Sequence, residues 1–475
     1  MRKVKTILLA SVCVATLSAC VSSRDYAMPA APEGFESVTL QEEQASAVFQ
    51  VAEPVSDWWK ELQDEKLDGL IGGAVERNKD VEIAMANLQE ARSLRKEAQF
   101  DYVPTVRSSG GYTHTRGSEE VPGGNVGDRE SDLHNAQLDA SWELDFFGRV
   151  RARVKAANAR EEQALANMRD VYVIIAADVA STYIELRGLQ YRLDIAQRNA
   201  ENQKETYDLS VRLAGGGRNS QLDVVRAQTQ LELTRSTIPS LEAAITANIH
   251  RLSVLTGQVP DALRADLSVK QALPTVPQVV NVGEVKDLLR RRPDIQVAEK
   301  SFEASIADYN ISVADQFPSI QLLGNIGFSA TNLSDFGASA LSAGIGPQLS
   351  WAAFDFGRVK ARIRQNDARA QAALSTYEKT ILEALEDLQT SMNNFVKEEE
   401  RRGRLQTAAR LSKEAASLAR VRYEAGVDAF IDVLNAEATL LEAEDTLAQS
   451  EISAALNLIA IYKALGGGWD LAEVQ

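Results

Sequence analysis

The stretch Trp142-Glu-Leu-Asp-Phe-Phe-Gly-Arg-Val-Arg-Ala-Arg153 opens a proline-free run that closes at Gly215-Gly216-Gly217. A second run opens with Trp351-Ala-Ala-Phe-Asp-Phe-Gly-Arg-Val-Lys-Ala-Arg362 and closes at Ala425-Gly426. The intervals Gly148 to Gly217 and Gly357 to Gly426 are equal, so the chain carries an internal repeat. With no breaker and a sustained apolar period, each interval reads as one helix. At ~1.5 Å per residue such a helix is roughly 100 Å long, whereas helices in globular proteins average about a dozen residues. A compact core has no use for that length; a conduit or a spanning strut does.

The chain has 475 residues and a net charge of −16, which argues against nucleic acid and anionic membrane surfaces as partners. Three scattered histidines, His114, His134 and His250, form no metal or acid–base set. The N-terminus reads as an address. Arg2, Lys3 and Lys5 precede an apolar run from Ile7 to Ala15, and Leu17-Ser18-Ala19-Cys20 resembles the lipobox of bacterial lipoproteins. On that reading residues 1–19 are a signal peptide and Cys20 becomes the lipidated first residue; an ordinary export signal is the other reading. No cofactor is expected apart from this covalent lipid. Cys13 leaves with the signal, so no disulfide forms. Val21 after the cysteine suits the outer rather than the inner membrane. Residues 20–56, rich in Ala, Pro, Glu and Ser, read as a lipidated tether. No later run is long and apolar enough for a transmembrane helix.

Two repeats follow, 57–257 and 281–467, with a proline-containing connector at 258–280 and a tail at 468–475. Each repeat begins with a helix stopped by a proline, Pro104 or Pro318. Pro293 suits a helix start, where its missing N–H has no partner to lose. Arg291 and Arg292 beside it suit an ion-paired or solvated helix entrance. The period then changes from helical to two. His134, Ala136, Leu138, Ala140, Trp142 and Leu144 alternate with Asn135, Gln137, Asp139, Ser141 and Glu143. Ile320, Leu322, Ile326 and Phe328, and then Ile345, Leu349 and Trp351, continue the pattern. Two strands are therefore expected within 103–146 and two within 319–355, followed by helix hairpins at 148–256 and 357–465. Thr105 to Thr115 is polar and glycine-rich and the weakest strand of the four.

Strands of about ten residues with this dyad match outer-membrane β-barrel strands; a soluble antiparallel sheet with one wet face is the alternative. Four strands cannot close, and an open edge in lipid leaves backbone groups unpaired at several kcal/mol each. Strands in the membrane therefore require several chains to share one barrel, and three is the smallest number that leaves a water path. In the long helices Ile175, Val179, Thr182, Leu186, Leu189, Leu193 and Ala196 are spaced by fours and threes. Leu374, Tyr377, Ile381, Leu385, Leu388, Met392 and Phe395 follow the same rule, as do Val433, Ala436, Leu440, Ala443 and Leu447. A mean near 3.5 marks a coiled-coil seam, which an ordinary antiparallel strut also satisfies.

Several of these residues together resemble the TolC-like outer membrane efflux protein family, in its OprM/NodT-like lipoprotein branch. They are Trp58-Trp59, Asn78-Lys79-Asp80, Arg291 to Ile295 with Ala298-Glu299, the two Phe-Gly-Arg-Val starts, and Tyr423 to Asp428 running on to Ala436. The resemblance implies a mainly α protein with a small β part. Duplicated long-helix hairpins would form one third of a trimeric α-barrel, and four strands would enter a twelve-stranded outer-membrane β-barrel. It implies a homotrimer, outer membrane lipid, a periplasmic adaptor at the helix turns, and an inner-membrane pump of the resistance-nodulation-division type. The function implied is a passive exit duct for small molecules in a tripartite efflux system, with no enzymatic chemistry. The resemblance also points to a gate at the turns: Arg422, Gly426, Asp428 and Asp432 in the second, with Gly217, Arg218 and Asp223 in the first. Plain helix capping by Asp428 and Asp223 is the competing role. The first turn departs from the family pattern, Gly215-Gly216-Gly217 standing where a Tyr-x-x-Gly form is expected. Protein secretion of type I and a periplasmic coiled-coil scaffold without a pore are the alternative functions.

Overall fold

The computed structural model describes residues 24–27, 29, 48–50, 52, 56–117, 130–217, 220–277, 279–283 and 291–469. The signal peptide, Cys20, Arg218 and residues 470–475 lie outside the described residues. The principal elements are α1 (Glu65–Arg77), α2 (Lys79–Phe100), β1 (Thr105–Arg116), β2 (Glu130–Leu144), α3 (Arg149–Gly215) and α4 (Gln221–Leu255). The second half supplies α5 (Pro293–Ala314), β3 (Ser319–Ala330), β4 (Leu341–Ser350), α6 (Arg358–Glu424) and α7 (Phe430–Ala464). Helices α3 and α6 both contain 67 residues, and α4 and α7 both contain 35. The chain is mainly helical with a small antiparallel sheet. Its residues group into two compact units, each drawing on both repeats.

The first unit comprises 1–30, 87–165 and 297–377. Its sheet runs in the order β1-β2-β3-β4, all antiparallel. The register lines up apolar rows: Val106, Ala140, Gly324 and Ile345 form one, and Ser108, Leu138, Ile326 and Ala343 the next. Further rows are Gly110, Ala136, Phe328 and Leu341; Trp142, Leu322 and Pro347; and Leu144, Ile320 and Leu349. Successive side chains alternate sides. The opposite face therefore carries Arg107, Asp139 and Asn325, then Gln137 and Ser342, then Glu143, Gln321 and Gln348. Polar, glycine-rich β1 is a full strand of 12 residues because every position pairs with β2. Apart from Gly327 and Ala330, no strand residue is buried. Ile345 is 80% exposed and Leu349 63%.

Both long helices leave the sheet through a carboxylate cap. Asp145 accepts from the amides of Val150 and Arg151, and Asp355 from those of Gly357 and Val359. The two aspartates are one residue out of step in the repeat, yet both reach the equivalent valine amide. Phe356 takes a left-handed φ of 53°, next to Gly357 at 93°, which absorbs the offset. The segment expected to be a tether is held where it is described. Arg24 exchanges two hydrogen bonds with Asn310 (2.8 and 2.7 Å), pairs with Asp367 at 2.7 Å and stacks on Tyr309. Tyr26 donates to Glu299 at 2.8 Å and packs on Phe302.

The second unit comprises 31–86, 166–296 and 378–475. Trp58, 1% exposed, stacks on Tyr462 of α7 at 5.1 Å and meets Trp59 edge-on. The Trp-Trp motif thus anchors the start of the first repeat on the end of the second. Arg292 is buried, ion-paired to Asp294 and Asp387, and donates to the Ala464 carbonyl at 3.0 Å. The α3 seam is buried at Ile175, Val179, Leu186, Leu193 and Ala196, and the α6 seam at Ile381, Leu385, Leu388, Met392 and Phe395. On α7 the expected seam is shallower: Val433 is buried, but Ala436, Leu440, Ala443 and Leu447 are half-buried. Full burial comes later, from Ala448 through Leu458 to Tyr462. There α3 approaches α7 so closely that a Cβ on Gly188 would clash with the Ile452 side chain.

The connector is held by Arg187, a residue that helical periodicity alone does not single out. It is 1% exposed and donates to the Val269 carbonyl (2.7 Å), Gln271 (2.8 Å) and Gln190 (2.8 Å), while Gln190 donates to the Leu267 carbonyl (2.7 Å). Removing the guanidinium strands the buried Gln190 oxygen, at about 1–3 kcal/mol, and releases the exposed Val269 carbonyl and Gln271 from their tie to α3. Arg187→Ala is expected to lower the thermal midpoint and to raise amide exchange selectively across 267–271; unchanged exchange there would show that the connector is held by other contacts.

Candidate functional site

The two helix turns lie in the second unit and solve the same problem differently. Helix α3 ends with Gly217 at φ 73°, its amide bonded to the Ala214 carbonyl at 3.0 Å. Helix α6 ends with Gly426 at φ 75°, and the Val427 amide reaches back to the Arg422 carbonyl at 2.9 Å, satisfying carbonyls the helix end would otherwise leave open. Both glycines occupy the left-handed region that side chains disfavour.

After the first turn Ser220 caps α4. Its hydroxyl accepts from the Asp223 amide at 3.2 Å, while the Asp223 carboxylate accepts from the Ser220 amide (3.3 Å) and hydroxyl (2.7 Å), closing a capping box. Asp223 is therefore occupied as a cap. Asp428 is not a cap: Ala429 holds that position on α7, without a side-chain bond. Instead Asp428 takes a two-point clamp from Arg422, Nε at 2.6 Å and Nη2 at 2.8 Å, across the turn. This bond holds the Asp428 carboxyl below the usual carboxylate range. Asp432 stands exposed in the first turn of α7. Arg218 falls outside the described residues, so its place in the first turn is not seen.

Behind the turns the four helices converge. Phe430 and Leu434 of α7 pack on Ala227 of α4, with Tyr207 of α3 and Tyr423 of α6 against them. Tyr423 and Phe430 lie 5.2 Å apart. Arg420 of α6 pairs with Glu205 of α3 at 3.0 Å. Along the α3–α7 seam stand three polar rungs: Thr206 to Glu437 (2.7 Å), Asn199 to Glu444 (2.9 Å) and Arg192 to Asp445 (2.7 and 3.0 Å). The α3 members are seven residues apart, the signature of a shared heptad face. That spacing is visible in the chain, but only the fold selects their partners. Among the described residues no group of His, Cys, Asp or Glu could hold a metal ion, and no helix is long and apolar enough to cross a membrane.

A sheet with an apolar face that is little buried among the described residues, joined in sequence to helix hairpins of matched length with glycine turns, defines a duplicated helical protein carrying a small two-faced sheet. Residues 70–258 and 285–467 match the family described as outer membrane efflux protein, and the chain belongs to that family. It is 26% identical to nodulation protein T of Rhizobium leguminosarum bv. viciae, over 98% of this chain and 94% of that one. It is 27% identical to the toluene efflux pump outer membrane protein TtgC of Pseudomonas putida, over 98% and 96%. The solved structure of the outer-membrane channel OprN superposes with a TM-score of 0.88 at 36% identity, covering 95% of this chain and all of that one. TtgC and OprN are, by their names, an efflux-pump component and a channel, not enzymes.

Two outcomes separate the turns. Ser220→Ala is expected to cost about 0.5–2 kcal/mol, seen as faster amide exchange at 221–224 with the second turn unaffected. The depressed carboxyl of Asp428 means that the clamp's contribution is fully present above the ordinary aspartate value and is lost as pH falls through the lowered one. Exchange at 422–428 should therefore stay slow under mild acid and rise only in strong acid, and Asp428→Asn should remove that step.

Proposed function

We propose that this chain is the outer-membrane exit duct of a tripartite efflux system. Three copies form a homotrimer whose strands close a twelve-stranded barrel in lipid, and the helices continue it into the periplasm as an α-barrel. The observation that carries this reading is the sheet: apolar rows on one face and polar side chains on the other, of which only Gly327 and Ala330 are buried among the described residues, with β1 and β4 at open edges. Lipid is the one solvent for which such a face is suited, and closure is the one way to satisfy the edges there. Twelve strands leave a polar lumen wide enough for water and small molecules, whereas eight are largely filled by side chains.

Transport through this path is passive. A periplasmic adaptor meets the helix turns, an inner-membrane pump of the resistance-nodulation-division type supplies substrate and energy, and no reaction is catalysed. Lipid on Cys20 anchors the mature chain to the outer membrane. At the turns, Arg422, Gly426, Asp428 and Asp432 form the constriction, with Gly217, Arg218 and Asp223 as neighbours. A threefold ring of Asp428 and Asp432 concentrates negative potential in a narrow lumen, and the Arg422 clamp holds the second turn in its closed geometry.

The mature protein in detergent should run as a heat-sensitive trimer and conduct in planar bilayers; a monomer without current would remove the reading. Asp428→Asn combined with Asp432→Asn should raise single-channel conductance by opening the clamp and discharging the ring, and unchanged conductance would place the constriction elsewhere.

A further inference from the structure

Towards the turns, the α3 seam, which packs on Leu241 of α4 at Leu193 and Ala196, changes character. From Ile175 to Ala196 its seam positions are mainly apolar, but at the same four-and-three spacing the next are Asn199, Gln203, Thr206 and Ser210, all buried and all polar. Thr206 bonds Glu437 and Asn199 bonds Glu444, so the antiparallel register sets Gln203 between these two rungs. Glu437 is 8% exposed. One of its carboxyl oxygens accepts from Thr206; among the described residues, the other has no protein partner, nor has either amide atom of Gln203.

A half-satisfied carboxylate in a buried seam carries a desolvation penalty that its neutral form escapes. The charges facing it do little to offset this. Arg420 of α6 favours the ionised form and Glu205 of α3 opposes it, and those two are paired with each other at 3.0 Å. Protonated, Glu437 keeps the Thr206 bond and gains an O–H to donate within the seam.

We propose that Glu437 is a proton-operated latch between α3 and α7: neutral, it closes the polar part of the seam, and ionised, it loosens the helix pair behind the turns. Burial, the largest influence on the group, holds its carboxyl above the ordinary glutamate value. The packed seam thus binds a proton more tightly than the separated helices do. Its extra stability is fully present below the ordinary glutamate value and is lost as pH rises through the raised one. This is the reverse of the Arg422–Asp428 clamp, which yields only in strong acid, so the two responses can be told apart.

The test is amide exchange of the purified full-length protein in detergent from acid to mildly alkaline pH, corrected for intrinsic exchange and read across 199–210 and 433–441. Protection should fall as pH rises, by about tenfold for each unit by which burial raises the carboxyl. Glu437→Gln, a neutral isostere that still accepts from Thr206, should be protected at every pH, while Asp428→Asn should leave the slope unchanged. Thr206→Val strips the ionised form of its one hydrogen bond and should move the midpoint of the slope upward. A flat wild-type profile, a slope that survives Glu437→Gln, or an unmoved midpoint in Thr206→Val would each overturn the latch. The readout lies within one chain's helix pair, so its failure leaves the exit-duct reading standing.

Discussion

An antiparallel sheet of four strands has two edges, and in hydrocarbon an edge is untenable. Each unpaired N–H or C=O there costs several kcal/mol, and no water is present to take it. The apolar rows on one face of this sheet suit a non-aqueous surface, and its open edges at β1 and β4 suit pairing with further strands. In the proposed assembly these two demands are met together by closure with strands from other copies. The proposed assembly, the membrane location of the strands and the polar lumen all rest on that constraint.

The helical part answers a different need. A helix as long as α3 or α6 cannot rest on intrinsic propensity, since most helical stability in proteins comes from packing an amphipathic face. Here packing is supplied unevenly. Far from the turns the contacts are close and apolar, with Gly188 seated against Ile452 and the Trp58–Tyr462 stack locking the ends of the two repeats together. Nearer the turns, the α3–α7 seam carries polar rungs, followed by a small apolar cluster of Phe430 and Leu434 with Tyr207. The α3 seam therefore becomes more polar towards the end where the chain reverses.

The two turns show how a repeat diverges without losing its geometry. Both stop a helix with a left-handed glycine, but one restarts with a serine capping box and the other with an arginine–aspartate clamp. The same tolerance appears at the other end of α3 and α6, where aspartates one residue out of step cap equivalent amides. At the sheet end the valine amide is capped in both repeats by an aspartate whose position has shifted, and at the turns the left-handed glycine is kept while the side chains around it differ.

Much of this could be read in the chain. Equal glycine intervals and the absence of proline defined the long helices, the period-two runs after Pro104 and Pro318 announced the strands, and the fours and threes marked the seams. These are local signals, written in spacing. The weak strand at Thr105–Arg116 needed its partner, because a polar, glycine-rich segment becomes a strand only when a ladder forms beside it. The burial of Arg187, the docking of Arg24 and Tyr26, the clamp on Asp428 and the half-satisfied Glu437 were likewise decided by tertiary structure alone. Each depends on which distant backbone or side chain comes within hydrogen-bonding reach, and periodicity carries no information about that: it specifies the face a residue shares, but not the partner brought against it.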